Sequence, residues 1–248
     1  MRRVVVTGMG GVCGLGSSWP EILAGLRARR NTIRVMHEWD RYTDMNTRLA
    51  GPIEFAPPAH WTRKQLRSMG RVSQLAVRAA EFAIADAGLT GDPVISSGAT
   101  GVACGSCTGS TADVADFARM VISDDASQLS ANSYVRMMPH TAAANMGIFF
   151  GAKGRIIPTS SACTSGSQGI GYAYEAIKFG RQDLMIAGGA EELCPTEAMA
   201  FDTLYATSRR NDQPHTTPRP YDRDRDGLVV GEGAGIMILE ELEHAQRR

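Results

Sequence analysis

Residues 156–193, IIPTSSACTSGSQGIGYAYEAIKFGRQDLMIAGGAEEL, contain the signals of a strand, a tight turn, a helix and a second strand. A short apolar run ends at a proline, and small residues then lead to Cys163. Apolar residues follow at the helical spacings of four and three: Ile170, Tyr174 and Ile177. Gly180 ends that pattern, and 184–189 is a second apolar run that closes in glycines. The stretch therefore places Cys163 where the turn meets the first turn of the helix.

This position has chemical consequences for Cys163. Free backbone N–H groups and the positive end of the helix dipole favour a thiolate there, and the thiolate is the nucleophilic form of cysteine. The neighbouring residues are small, so that a substrate carbonyl can approach and the N–H of Cys163 can face a developing oxyanion. The alternative is an inert buried cysteine, which is the usual state of a cysteine in a soluble protein.

Strand and helix patterns that alternate along the chain predict an α/β fold. Five apolar runs have strand patterns, near residues 4, 101, 156, 184 and 236. Because helical patterns separate most of them, the economical arrangement is a mostly parallel five-stranded sheet between helices. We interpret 1–248 as one domain, in which residues 29–62, rich in Arg, Pro and aromatics, form an irregular surface excursion.

Local signals predict several element boundaries. Val4–Val6 is a β-branched run that we expect to end at Gly8, with a close glycine turn after it. One long helix is predicted between Lys64 and Gly88, where the glycine closes it. Residues 124–139 are predicted to form a loop.

Composition limits the classes of function. Lysine plus arginine equals aspartate plus glutamate, at 26 each, and this zero formal charge argues against general binding of nucleic acid or of a membrane surface. No apolar run approaches the ~18 residues that a membrane span needs. Five cysteines at irregular spacing do not make a disulfide framework, so a reducing cytoplasm is the expected compartment.

Three short motifs are weak matches to cofactor or metal sites. Residues 8–13 nearly match the dinucleotide-binding G-x-G-x-x-G, but the third glycine is a cysteine and no acidic partner follows about 20 residues on. The C-x-x-C at 104–107 has no second ligand pair, so we interpret it as incidental. Residues 222–227 resemble half of a calcium loop whose twelfth position is Gly233 instead of Glu, and ion pairs that brace a loop fit them better. No metal or redox cofactor is therefore expected.

The combined motifs resemble one protein family. SSACTSGSQGIGYAYEAI and MIAGGAEE resemble the nucleophile region of beta-ketoacyl synthases, the condensing enzymes of fatty acid and polyketide assembly. The resemblance includes VVVTGMG at the start and three later segments: Arg219–Asp222, Arg225–Gly227 and Gly231–Gly235. It covers essentially the whole chain but only the amino-terminal half of the family's usual length. It implies the amino-terminal half of a thiolase-type fold.

The resemblance implies an activity for Cys163. In the family, this cysteine takes an acyl group from acyl carrier protein as a thioester, and malonyl-carrier protein then loses carbon dioxide. The resulting enolate attacks the thioester, so that covalent capture divides a difficult carbon–carbon bond formation into two steps. No cofactor is implied. The family also implies a dimer, either of two identical chains or of two related synthase chains.

Four further residues match positions of the family's acyl pocket. Thr108 falls where elongating synthases have a gate residue, often isoleucine, between the nucleophile and the pocket. Met137 and Met138 lie in a region that reaches across the dimer interface and lines the partner's pocket. Phe201 falls at a pocket-lining position, although a core aromatic is an equal alternative.

The sequence departs from the family in one respect. The family's two catalytic histidines, a lysine and a glycine-phenylalanine loop lie in a carboxy-terminal half, and none of the five histidines here matches those motifs. The 248 residues alone are therefore expected not to turn over malonyl substrate. The alternative function is a non-catalytic partner subunit that sets chain length or docks carrier protein, but the intact cysteine motif favours an enzyme. Thiolases and other thiolase-fold acyltransferases are the nearest rival enzymes.

Overall fold

Strands and helices alternate along most of the chain, and the computed structural model describes every residue from 1 to 248. The strands, in chain order, are β1 (Val4–Val12), β2 (Arg34–Val35), β3 (Leu49–Gly51), β4 (Thr100–Gly105), β5 (Ile156–Thr159), β6 (Leu184–Glu191), β7 (Val230–Gly231) and β8 (Gly233–Glu241). The α-helices are α1 (Trp19–Arg27), α2 (Arg63–Leu66), α3 (Arg71–Asp86), α4 (Thr111–Ser123), α5 (Ala131–Met137), α6 (Thr141–Phe150), α7 (Ser165–Lys178), α8 (Pro195–Thr203) and α9 (Leu242–Arg247). None of these helices combines the length and apolarity that a membrane span requires.

The central sheet has five strands in the order β1-β8-β6-β4-β5. β4 pairs in parallel with both β5 and β6, whereas β8 is antiparallel to both of its neighbours. Four strands therefore point in one direction and β8 in the other. Helices α3 and α6 cover one face and α7 covers the opposite face. The predicted α/β fold, with a mostly parallel five-stranded sheet between helices, is confirmed.

The prediction that the first strand ends at Gly8 is wrong. β1 continues through the glycines to Val12 and pairs with β8 along its whole length. A Cβ atom on Gly8 would overlap the carbonyl oxygen of Ala83 on α3, and one on Gly10 would overlap that of Ala79. The glycines therefore allow the alanine-rich face of α3 to pack directly on the strand, and they form no nucleotide-binding turn.

Two predicted boundaries also differ from the structure. The helix expected between 64 and 88 is divided into α2 and α3 at Gly70, whose backbone is extended (φ −73°, ψ 175°). The expected loop 124–139 contains α5. The signal for α5 is Ser130, an N-cap whose Oγ accepts from the N–H of Ser133 at 3.1 Å.

Residues 29–62 are irregular, but they are not confined to the surface. β2 and β3 join β7 in a small three-stranded sheet. Met36, Trp39 and Met45 are buried in a separate apolar cluster that also includes Ala198 of α8. The abundance of arginine and proline in this segment conceals that core at the level of composition. The segment 29–62, predicted to be a surface excursion, is thus partly buried, and it helps to position α8.

Candidate active site

Cys163 lies in a tight turn between β5 and α7, as predicted, and its side chain is exposed. The preceding residue, Ala162, has a left-handed backbone (φ 51°), which is costly for a residue with a Cβ and persists only when the surroundings impose it. Ser165 supplies much of that constraint. Its Oγ donates to the carbonyl of Ala162 at 2.6 Å and accepts from the N–H of Ser161 at 2.8 Å. The turn therefore presents the sulfur in a defined position.

Glycines at the ends of two strands let this turn sit directly on the sheet. A Cβ atom on Gly105, the last residue of β4, would overlap the backbone of Ser165. One on Gly189 of β6 would lie 2.8 Å from the Cα of Gly166, at the start of α7. The glycine run in the quoted stretch thus holds the start of α7, and with it Cys163, against the carboxyl ends of β4 and β6.

A cavity of about 640 Å³ opens beside Cys163. Most of its wall is formed by glycines, alanines and three larger apolar residues: Ile170, Phe201 and Val230. The remaining wall is polar and is formed by Ser106, Cys107, Thr108, Ser165, Glu191 and Glu197. The cavity therefore combines a nucleophile, space for an apolar chain and a polar surface.

Thr108 joins two carboxyl groups of the polar wall. Its Oγ1 donates to Glu197 Oε1 at 2.7 Å and lies 3.2 Å from Glu191 Oε1. Glu191 also accepts from the Oγ of Ser106 at 2.9 Å and from the backbone N–H of Cys107 at 2.5 Å. Burial raises the pKa of Glu197, the hydrogen bond from Thr108 lowers it in part, and the charge of Glu191 raises it again.

The structure brings together three of the five predicted site residues. Cys163, Thr108 and Phe201 line the same cavity. Met137 and Met138 do not line it; they are the last residue and the C-cap of α5, and their backbone packs against Gly109. Their place in the pocket of a partner chain stays a prediction.

Glu197 is not among the residues predicted from the sequence, although a signal for it is present. Glu197 lies four residues before Phe201, and residues at this spacing lie on one face of a helix. The pocket position predicted for Phe201 therefore also pointed to Glu197, one helical turn earlier. Cys107 was noted only as half of the C-x-x-C, yet it lines the cavity with Cys163.

The two cysteines of that C-x-x-C have different surroundings. Both are free thiols; Cys104 is buried and Cys107 is exposed. Burial raises the pKa of Cys104 to about 12, so it is a core residue rather than half of a reactive pair. In the segment 222–227, Asp226 pairs with Arg210 at 3.2 Å, which confirms the predicted ion pairs. No group of three or more His, Cys, Asp or Glu side chains is arranged to hold a metal ion.

Comparisons with known proteins agree with this geometry. Residues 1–245 match the family model "Beta-ketoacyl synthase, N-terminal domain". The chain is 36% identical to 3-oxoacyl-[acyl-carrier-protein] synthase 1 of Haemophilus influenzae, with all of the chain and 61% of that protein covered. It is 59% identical, with a TM-score of 0.98, to the crystal structure of a beta-ketoacyl synthase from Burkholderia phymatum STM815, again covering all of the chain and 61% of that protein.

Two further structures show related assemblies. The ishigamide ketosynthase/chain length factor is 30% identical to the chain, with a TM-score of 0.86. The structure of a type II PKS acyl-carrier protein in complex with its ketosynthase is 31% identical, with a TM-score of 0.80. Each match covers the whole chain and 60% of the other protein, so the chain spans about 60% of the length of the relatives it matches. The chain belongs to the beta-ketoacyl synthase family, and its residues 1–245 correspond to the amino-terminal domain of that family.

Proposed function

We propose that the protein containing this chain condenses an acyl chain, held on Cys163, with malonyl-acyl carrier protein in fatty acid or polyketide synthesis. One observation supports this most directly: Cys163 is exposed in a constrained turn at the head of α7, beside a largely apolar cavity of about 640 Å³. A nucleophile with an adjacent apolar cavity suits the storage of an acyl chain as a thioester.

The acylation step follows from this geometry. The Cys163 thiolate attacks the carbonyl carbon of an acyl-carrier thioester, and a tetrahedral oxyanion forms. We assign the backbone N–H of Cys163 as a donor to that oxyanion, because it lies at the start of a helix. The carbon–sulfur bond to the carrier then breaks, the carrier leaves as a thiolate that takes up a proton from solvent, and the acyl chain remains on Cys163 inside the cavity.

The condensation step needs groups that stabilise an enolate after carbon dioxide leaves. No histidine lines the cavity, so we assign decarboxylation to none of the residues 1–248. The test is mass spectrometry of the intact protein after incubation with octanoyl-carrier protein. We expect one octanoyl group on Cys163 and none on a Cys163→Ser variant. When malonyl-carrier protein is then added, residues 1–248 alone should give no β-ketodecanoyl product. Modification at another residue, or none at all, would exclude the proposal.

The alternative function is a non-catalytic partner subunit that sets chain length. The similarity of the chain to the ishigamide ketosynthase/chain length factor is the observation that favours this alternative. The exposed Cys163 beside an open cavity favours the catalytic role, because a length-setting subunit needs no nucleophile. The acylation experiment separates the two, since the partner role predicts no selective modification of Cys163.

Acyl carrier protein and a second synthase chain are the proposed partners. β5 lies at the edge of the central sheet, and large hydrophobic residues are exposed near it: Ile148, Ile156, Tyr172 and Phe179. An exposed strand edge with apolar neighbours suits association with another chain. We propose a dimer there, in which Met137 and Met138 reach the partner's cavity. Light scattering measures the mass, and co-expression with a related synthase chain distinguishes a homodimer from a heterodimer.

A further inference from the structure

The polar wall of the cavity is a connected group rather than a set of scattered side chains. Glu191 accepts from Ser106 and from the N–H of Cys107, and Thr108 Oγ1 donates to Glu197 while it lies 3.2 Å from Glu191 Oε1. All of these residues line the cavity that opens at Cys163. An acyl chain on the sulfur must therefore share this space with two carboxyl groups.

Neither carboxyl group has a cationic partner. The salt bridges of the chain involve other acidic residues, and Glu191 and Glu197 are in none of them. Glu197 accepts one hydrogen bond, from Thr108 Oγ1 to its Oε1, and its Oε2 accepts none from the chain. Glu197, which lines the cavity, thus has an acceptor oxygen for which the protein supplies no donor.

A saturated acyl chain does not suit that oxygen. When a methyl-ended chain covers a half-buried carboxyl group, the group loses its water and gains no hydrogen bond in return. A chain with a hydroxyl or ammonium group replaces the lost water with a direct hydrogen bond. The raised pKa of Glu197 does not change this argument, because a neutral carboxyl also accepts a hydrogen bond through its carbonyl oxygen.

We propose that Glu197, oriented by Thr108, selects acyl chains that contain a hydrogen-bond donor, a hydroxyl or an ammonium group, over methyl-ended chains of the same length. This inference rests on the proposed function, because Cys163 holds the chain. Glu197 is in this view a specificity-determining residue, and the apolar part of the wall binds the remainder of the chain.

The test measures the rate of Cys163 acylation by pantetheine thioesters, followed by mass spectrometry of the intact protein. Three series are compared at lengths of four, six and eight carbons: methyl-ended, hydroxyl-ended and ammonium-ended. At the length that reaches Glu197, we expect donor-ended chains to react faster by about tenfold to a hundredfold. If the ammonium-ended chains react fastest, Glu197 binds them as a charged carboxylate. If the hydroxyl-ended chains react fastest, Glu197 binds them through a neutral hydrogen bond. Either result supports the inference.

Two variants and a control locate the effect. Glu197→Leu removes the acceptor and should bring the donor-to-methyl ratio to about one or below. Glu197→Gln keeps the shape and should reduce the ammonium-to-methyl ratio, so it decides the matter if the leucine variant does not fold. Glu175→Gln changes an exposed carboxylate of α7 outside this cavity and should leave every ratio unchanged.

The outcomes separate this inference from the proposed function. If wild-type protein acylates Cys163 but prefers methyl-ended chains at every length, the inference is wrong and the proposed function stands. A donor-to-methyl ratio that is the same in wild type and in Glu197→Leu also overturns the inference, whereas Glu197→Gln, which still accepts from a hydroxyl through its carbonyl oxygen, should keep the hydroxyl-to-methyl ratio. If no thioester of any series acylates Cys163, both are wrong.

Discussion

The guanidinium of Arg71 on α3 donates two hydrogen bonds to Glu232, from Nε to Oε2 at 2.6 Å and from Nη2 to Oε1 at 2.7 Å. Glu232 also accepts from the backbone N–H of Ile53 at 2.7 Å and of Leu193 at 3.3 Å. Residue 232 lies between β7 and β8, where the glycines on either side line the cavity of Cys163. One carboxylate therefore joins α3, the segment 29–62 and the residues after β6 beside the proposed acyl site.

Arg71→Met should destabilise the fold. The Glu232 side chain is only 3% exposed, so the substitution leaves a buried carboxylate without its cation. Because Arg71 itself is partly exposed, we expect a loss near the lower end of the usual range, about 3 kcal/mol in the free energy of unfolding at pH 7. Urea denaturation of both proteins measures the difference. A loss below about 0.5 kcal/mol would place this pair among ordinary surface pairs.

The same pair predicts a dependence of stability on pH. Burial alone would raise the pKa of Glu232, but the hydrogen bonds from Arg71 and from the N–H of Ile53 hold the pKa below its usual value. A carboxyl group with a lowered folded pKa stabilises the fold above its unfolded pKa of about 4.3, and this stability is lost as pH falls through the folded pKa. Without Arg71, burial raises the pKa of Glu232 in the variant, so the difference between wild type and Arg71→Met should shrink as pH falls through that pKa and be smaller at pH 3.5 than at pH 7. Denaturation at pH 3.5 that shows an undiminished difference would contradict this.

The nucleophile turn could be predicted because its signals are contiguous in sequence. The apolar run, the small residues and the helical spacing all lie within 156–193, and each determines the local backbone conformation. Glu197 could not be found in the same way, because its partner Thr108 is 89 residues away. Only the packing of α8 against the loop after β4 brings the two together.

The glycines show a second reason for the difference. Gly8 and Gly10 of β1 have the composition of a turn, yet they face α3 inside a continuous strand. A glycine that allows close packing and a glycine that allows a positive φ are identical in sequence. The partner surface decides between them, and that surface comes from a helix some 70 residues later, as the contact of Gly10 with Ala79 shows.

The thiols should differ sharply in reactivity toward iodoacetamide at pH 8. Cys104, whose pKa burial raises to about 12, should stay unmodified in the folded protein. Burial also raises the pKa of Cys107, so this exposed thiol should react more slowly than a free cysteine. Prior acylation should protect Cys163 and leave Cys104 unmodified. Peptide mapping checks each site, with Cys163→Ser as the control; rapid labelling of Cys104 in native protein would contradict the prediction.

Thr108→Ile should change the acyl chains that the cavity accepts. The larger side chain enters the cavity and removes the hydrogen bond to Glu197. We expect the acylation rate of the longest chains to fall about tenfold relative to the shortest, since overpacking a fitted cavity is costly. Thr108→Val is the matched control, because it removes the hydroxyl at nearly constant volume. A chain-length profile of Thr108→Ile that matches wild type would show that residue 108 is not a gate.

Gly189→Ala should disturb Cys163 without touching it. The added Cβ would lie 2.8 Å from the Cα of Gly166, and because that Cα is a backbone atom, the start of α7 must shift. We expect a loss of about 1–3 kcal/mol in stability and about a hundredfold in acylation rate, since a displacement near 1 Å is enough for that. Gly171→Ala is the control in the same helix: its Cβ meets nothing within 4 Å, so it should stabilise by about 0.5–1 kcal/mol and leave acylation unchanged. Normal acylation in a stable Gly189→Ala variant would mean that contact with the end of β6 does not position the nucleophile.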